Sequence, residues 1–175
     1  LHCTPACARE LPAGDFDGTP RPEDAWGRCS AQIFAAVSPA MHDEFDLEYN
    51  QEIFGSCGLL YYGCCEPLDT KIDILRQRFT NLRKVSITPW ADPEIVARSM
   101  GSDYVMSAKP NPAFVAGPTF EPEPVQQEIH RYLDACRRHG TTCEFVLKDV
   151  STIGNQPSNL TRWAQTVDGV IDQYF

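Results

Sequence analysis

The chain has 175 residues, 42% of them hydrophobic and 22% charged, ordinary proportions for one globular domain. Its 15 Lys+Arg against 24 Asp+Glu leave a formal net charge of −9, which argues against a general nucleic-acid binder with its basic patch. No uninterrupted apolar run approaches the roughly 20 residues a membrane helix needs, so a soluble acidic α/β domain is expected.

Residues 1–22 read as loop, or as a fragment of a preceding unit, because Pro5, Pro12, Gly14, Gly18, Pro20 and Pro22 punctuate them. Leu1 is not preceded by an initiator Met, so a clipped chain or a piece of a longer protein is expected. Residues 23–175 are expected to form one domain, or half of one. From Glu23 to Val37 the pattern predicts a helix, with Trp26, Ile33, Phe34 and Val37 on one stripe. Ser38 and Pro39 then suit the N-cap and first position of a second helix, with Phe45, Tyr49, Ile53 and Phe54 as its apolar face.

A regular alternation follows. Strands are predicted at 58–63, 84–88, 104–107 and 143–148, and helices at 69–78, 92–100, 124–139 and 157–174, with a Pro-rich loop over 110–124. Strand–helix units in tandem demand parallel strands joined by crossovers. Four of them amount to half of a (β/α)8 TIM barrel. An open, doubly wound sheet is the other arrangement, but no Gly-rich phosphate loop follows the first strand.

The eight cysteines come without a signal-peptide pattern, and Cys64 and Cys65 are neighbours, which rarely bond to each other. Reduced thiols in a cytoplasmic protein are therefore expected. In parallel α/β folds function gathers at the carboxyl ends of the strands, and here every such end is polar or reactive. Cys64, Cys65 and Glu66 suit a soft divalent metal, although one thiol could equally pack as a small apolar group while Glu66 caps the next helix. Lys109 and Asn111 could orient an anionic substrate or lie in a solvated loop. Asp149 could act as a general base or metal ligand, or simply hydrogen-bond its own loop. Trp90 offers an apolar wall to a ligand, or packs.

His2, Cys3 and Cys7 form a further thiol/imidazole cluster with no assigned ligand role. His42 is expected at the surface or in packing, and His130 and His139 away from the chemistry. A helix starting near Asp69 would favour a thiolate before it, so Cys64 or Cys65 is expected to be the most reactive thiol.

The run Ser38-Pro39-Ala40-Met41-His42-Asp43-Glu44-Phe45, the helix with Tyr49, and the strand from Leu59 to Cys65 together resemble the uroporphyrinogen decarboxylase superfamily. That superfamily includes zinc- and corrinoid-dependent methyltransferases. Phe145-Val146-Leu147 and Gln156-Pro157-Ser158-Asn159-Leu160 resemble its last strand and following helix start. The resemblance covers about residues 24–175 and implies the C-terminal half of a (β/α)8 barrel.

The methyltransferases bind zinc through His-x-Cys on that strand and a later Cys. Cys64 matches the first Cys, Tyr62 stands at the His position, and Asp149 and Ser151 fall where the later Cys would be. The resemblance thus implies a divergent cobalamin-linked methyltransferase acting on a small thiol or methylated substrate. Cys64 and Cys65 would hold zinc, Asp149, Lys109 and Glu66 would be the catalytic groups, and Trp90, Asn111 and Tyr62 the substrate contacts. A partner protein would supply the corrinoid. Two other readings are a metal-free decarboxylase (a lyase) of a porphyrinogen-like or other carboxylated substrate, and a non-catalytic half-barrel. In the half-barrel, open strand edges would drive homo-oligomerisation or pairing with an N-terminal half.

Overall fold

A computed structural model describes residues 21–175. Five strands, β1 (Trp26–Cys29), β2 (Leu59–Tyr62), β3 (Leu82–Ile87), β4 (Val105–Ala108) and β5 (Thr142–Phe145), form one sheet in chain order, every neighbouring pair parallel. The helices between and after them are α1 (Pro39–His42) and α2 (Glu48–Phe54), joined by a π turn at Asp43–Leu47, then α3 (Ile72–Arg78), α4 (Pro93–Met100), α5 (Pro122–His139) and α6 (Ser158–Ile171).

The two faces of the sheet differ in chemistry. Leu60, Tyr62, Val85, Ile87, Met106 and Ala108 point to one side, where Leu47, Ile72, Leu75, Phe79, Val96, Met100, Tyr132 and Ala135 of the helical layer bury them. Alternate residues face the other way, as the two-residue period of a strand requires, and these are polar or aromatic: Tyr61, Lys84, Ser86, Ser107 and Glu144. Lys84 pairs with Glu144 at 2.8 Å and lies over Trp26, while Arg28 lies over the Tyr61 ring. A second apolar cluster joins α5 to α6 through Ile129, Leu133, Trp163 and Val167. A doubly wound sheet reverses its strand order and is covered on both faces. Sequential order with one helical layer is consistent with a partial α/β barrel-like fold.

Several local expectations meet the structure directly. Ser38 Oγ accepts from the Met41 backbone N–H at 3.2 Å with Pro39 in the first position, and Asp92 caps α4 through the Glu94 N–H at 2.9 Å. Gly140 ends α5 in the left-handed conformation.

Two expectations are corrected. Residues 23–37 are not a helix: Pro22–Asp24 and Gln32–Phe34 are single 3-10 turns around the strand β1. Gly27 decides the matter, because a Cβ there would stand 2.9 Å from Cys57 Sγ, so the backbone must approach Cys57 closely as a strand. Phe45, Tyr49 and Ile53 are not the buried face of α1–α2; they are 52%, 60% and 65% exposed, while His42 and Leu47 turn inward. Four-residue spacing marks a stripe without saying which side of it the sheet occupies. His2, Cys3 and Cys7 lie outside the described residues.

Candidate active site

The sheet ends each strand in a short turn, and the turns after β2, β3, β4 and β5 surround a cavity of about 430 Å³. Cys64, Cys65, Thr88, Trp90, Lys109, Asn111, Lys148, Asp149, Ser151 and Thr152 line it. The chain leaves β2 through Gly63, whose φ of +97° favours glycine. Glu66 then folds back. It is only 1% exposed, and its carboxylate accepts the Cys64 N–H at 2.8 Å and the Ala31 N–H at 3.1 Å. Ser86 Oγ donates to the Cys64 carbonyl at 2.7 Å. These bonds fix where Cys64 stands.

The thiols meet the turn after β5. Lys148 Nζ lies 2.8 Å from Cys64 Sγ, Cys65 Sγ donates to Asp149 Oδ2 at 2.6 Å, and the two sulfurs are 3.5 Å apart. Burial pushes the Cys65 thiol up to about 11, and its bond to Asp149 adds to the shift. Burial pulls the Lys148 amine down, but its bonds to Cys64 and Cys65 outweigh that and hold it above the ordinary lysine range. Asp149 adopts φ +59°, a left-handed conformation that costs a non-glycine residue of order 1 kcal/mol or more and that clusters at functional sites.

A second group lies deeper. Lys109 is 3% exposed, and its Nζ bonds Tyr61 Oη at 2.5 Å, Ser107 Oγ at 2.6 Å and the Ser107 carbonyl at 3.2 Å. Burial lowers its pKa, with Tyr61 pulling the other way. Asn111 shapes its loop: its side chain caps the 3-10 turn Pro112–Val115, and its N–H donates to the half-buried Glu128. Trp90 is 75% exposed and free to cover a ligand.

The structure therefore brings Cys64, Cys65, Trp90, Lys109, Asn111 and Asp149 to one cavity. It does not bring Glu66 or Tyr62 there. Glu66 is spent on two backbone donors and does not line the space. Tyr62 points to the helical face, where its hydroxyl bonds His42 Nε2 at 2.7 Å and Asp46 at 3.0 Å, because side chains alternate and Tyr61 takes the other side. His42 is buried and packs against Phe34 and Tyr62, one of the two places expected for it. The helix expected to favour a thiolate begins at Ile72, so Lys148 is the neighbour that counts. Sequence reasoning missed Lys148, Tyr61 and Ser107; polar residues at alternate positions of otherwise apolar strands were the available signal.

A cavity of about 450 Å³ at the amino end of β5 holds Cys136, Cys143 and Tyr174. The bond between these two cysteines holds the Cys136 thiol below its ordinary range and, with burial, pushes the Cys143 thiol up. Among the described residues no three His, Cys, Asp or Glu are grouped so that together they could hold a metal ion. Comparison with family profiles, curated proteins and solved structures returns no match to this chain.

Proposed function

We propose that the protein is a divergent enzyme of the uroporphyrinogen decarboxylase superfamily, a cobalamin-linked methyltransferase that takes a small thiol or methylated substrate in this cavity. On this reading the five strands belong to a (β/α)8 barrel completed by an N-terminal half or a second copy, working in the cytoplasm, where thiols stay reduced. The observation that carries the reading is the contact of Lys148 with Cys64, beside a second thiol at 3.5 Å.

The donor set suits zinc in kind. Zn–S bonds of about 2.3 Å at a tetrahedral angle set two thiolates about 3.8 Å apart, near the separation of these sulfurs. Cys64 and Cys65 would hold the ion, and a bound zinc ionises a substrate thiol. The chain's own part is to fix Cys64 through Glu66, to supply the Lys148 charge, and to cover the substrate with Trp90. A whole cobalamin is far larger than a cavity of about 430 Å³, so the methyl donor would be presented at the mouth by a partner protein.

The test is zinc content and methyl transfer from methylcobalamin to a small thiol. One zinc per chain and transfer, both lost in Cys64→Ser, are expected. No bound transition metal together with no loss on Cys64→Ser overturns the zinc reading.

A second reading is a metal-free decarboxylase, favoured by Lys109 and its neutral partners. Turnover that survives chelators and Cys64→Ser supports it.

A further inference from the structure

Lys109 is a shielded amine that hydrogen-bonds no carboxylate among the described residues. Its three bonds go to the Tyr61 hydroxyl, the Ser107 hydroxyl and the Ser107 carbonyl, all neutral oxygens. The carboxylate of Glu144, on the same sheet face, is held by Lys84 at 2.8 Å. Burial, helped by the Lys148 charge, lowers the Lys109 pKa and outweighs the upward pull of Tyr61 and of the Glu144 charge. A buried ammonium bonded only to neutral oxygens is costly, so this site favours the neutral amine, which is a nucleophile. Tyr61 and Ser107 are also bonded to each other at 2.8 Å, so the amine touches a continuous hydroxyl pair able to carry protons. Lys109 and Lys148 line the same cavity, and the second supplies a cation for an acid group.

We propose that Lys109 condenses with the carbonyl of a small oxo acid bound in this cavity, forming an imine. The inference rests on the metal-free decarboxylase reading and names its substrate class. The Nζ lone pair attacks the carbonyl carbon, a C–N bond forms, and the carbonyl π pair moves to oxygen, which takes the Tyr61 proton. The nitrogen passes a proton back through Ser107 to Tyr61. The hydroxyl then leaves as water, taking that proton, while the nitrogen pair closes the C=N bond. An imine draws electrons from the adjacent carbon, and with a 3-oxo acid that pull releases carbon dioxide.

The test treats the protein separately with pyruvate, glyoxylate and acetoacetate in the presence of sodium borohydride, which reduces an imine to a stable secondary amine, and maps the adduct by peptide mass. Carbon dioxide release from acetoacetate is measured in parallel without borohydride. An adduct on Lys109 with at least one acid is expected, absent in Lys109→Arg, and formed about tenfold more slowly in Tyr61→Phe, which keeps the ring. Because Lys109→Arg could fail to fold, site mapping on the unaltered chain decides the question. No adduct, or an adduct on Lys148 instead, overturns the proposal. Carbon dioxide release without a Lys109 adduct overturns the imine while leaving the decarboxylase reading standing. An adduct without release keeps the imine and removes the decarboxylase.

Discussion

Lys148 Nζ and Cys64 Sγ lie 2.8 Å apart across 84 residues of sequence. The same turn gives Cys65 an acceptor in Asp149, so the two adjacent thiols face opposite electrostatics. Cys64 is therefore expected to be alkylated before Cys65, whose thiol is pushed up to about 11. Lys148→Met should slow Cys64 alkylation about tenfold and leave Cys65 little changed. Timed labelling with peptide mapping measures both, and equal rates for the two thiols would contradict the assignment.

Glu66 organises the approach to that pair. Glu66→Gln turns one acceptor oxygen into a donor facing a buried N–H of Cys64 or Ala31. A loss of about 1–3 kcal/mol is expected from urea unfolding, because a buried donor is left without a partner. Cys64 labelling should change in the same variant.

Gly63→Ala should be at least as damaging. Its φ is +97°, and a Cβ would stand 2.8 Å from Leu68 Cδ1 and 3.2 Å from Ser86 Cβ. Backbone strain alone costs about 1–3 kcal/mol. A urea midpoint matching the unaltered protein would refute this account of the turn.

His42 gives the protein a pH dependence. It is buried against Phe34 and Tyr62, with Asp46 at 3.4 Å. Burial, then Lys71, holds its pKa below 6.5, while Asp46 and Glu66 pull upward. The unfolded chain thus binds the proton more readily, so this stabilisation is complete above 6.5 and fades as pH falls through the folded value. Urea midpoints between about pH 7 and about pH 5 should fall more steeply for the native chain than for His42→Phe. Parallel curves would remove His42 as the cause.

Glu94 acts in a lower window. The Arg138 and His139 bonds hold its carboxyl down to about 2 from 4.5, tying α4 to α5. Its contribution is present above 4.5 and lost as pH falls towards 2. Glu94→Gln should differ from the native chain at neutral pH and converge with it in acid, as thermal melts across that range would register.

The alternation after residue 58 was legible because each of those strands is short and bounded by turn residues, and because Asp92 caps α4 and Gly140 closes α5. The first strand was not. Trp26–Cys29 has four residues with a glycine inside, too few for a two-residue period to emerge against the surrounding apolar positions. At the site, Cys64, Lys109 and Asp149 could be found by reading strand ends alone. Lys148's role could not, since it depends on the turns after β2 and β5 meeting at a common cavity across two intervening strands. Tyr62 was misplaced by one residue's worth of alternation, which sends a side chain to the opposite face.

Strand order that follows chain order carries a kinetic consequence. Each strand needs only a single crossover to reach its predecessor, so the loop-closure entropy is paid in small, repeated steps. The sheet can grow by accretion during synthesis, each docked edge serving as template for the next strand. The dithiol, by contrast, waits for the last of these additions: Cys64 and Cys65 emerge early, and Lys148 and Asp149 reach them only after β5 has docked. A nascent chain halted before that point would carry both thiols bare.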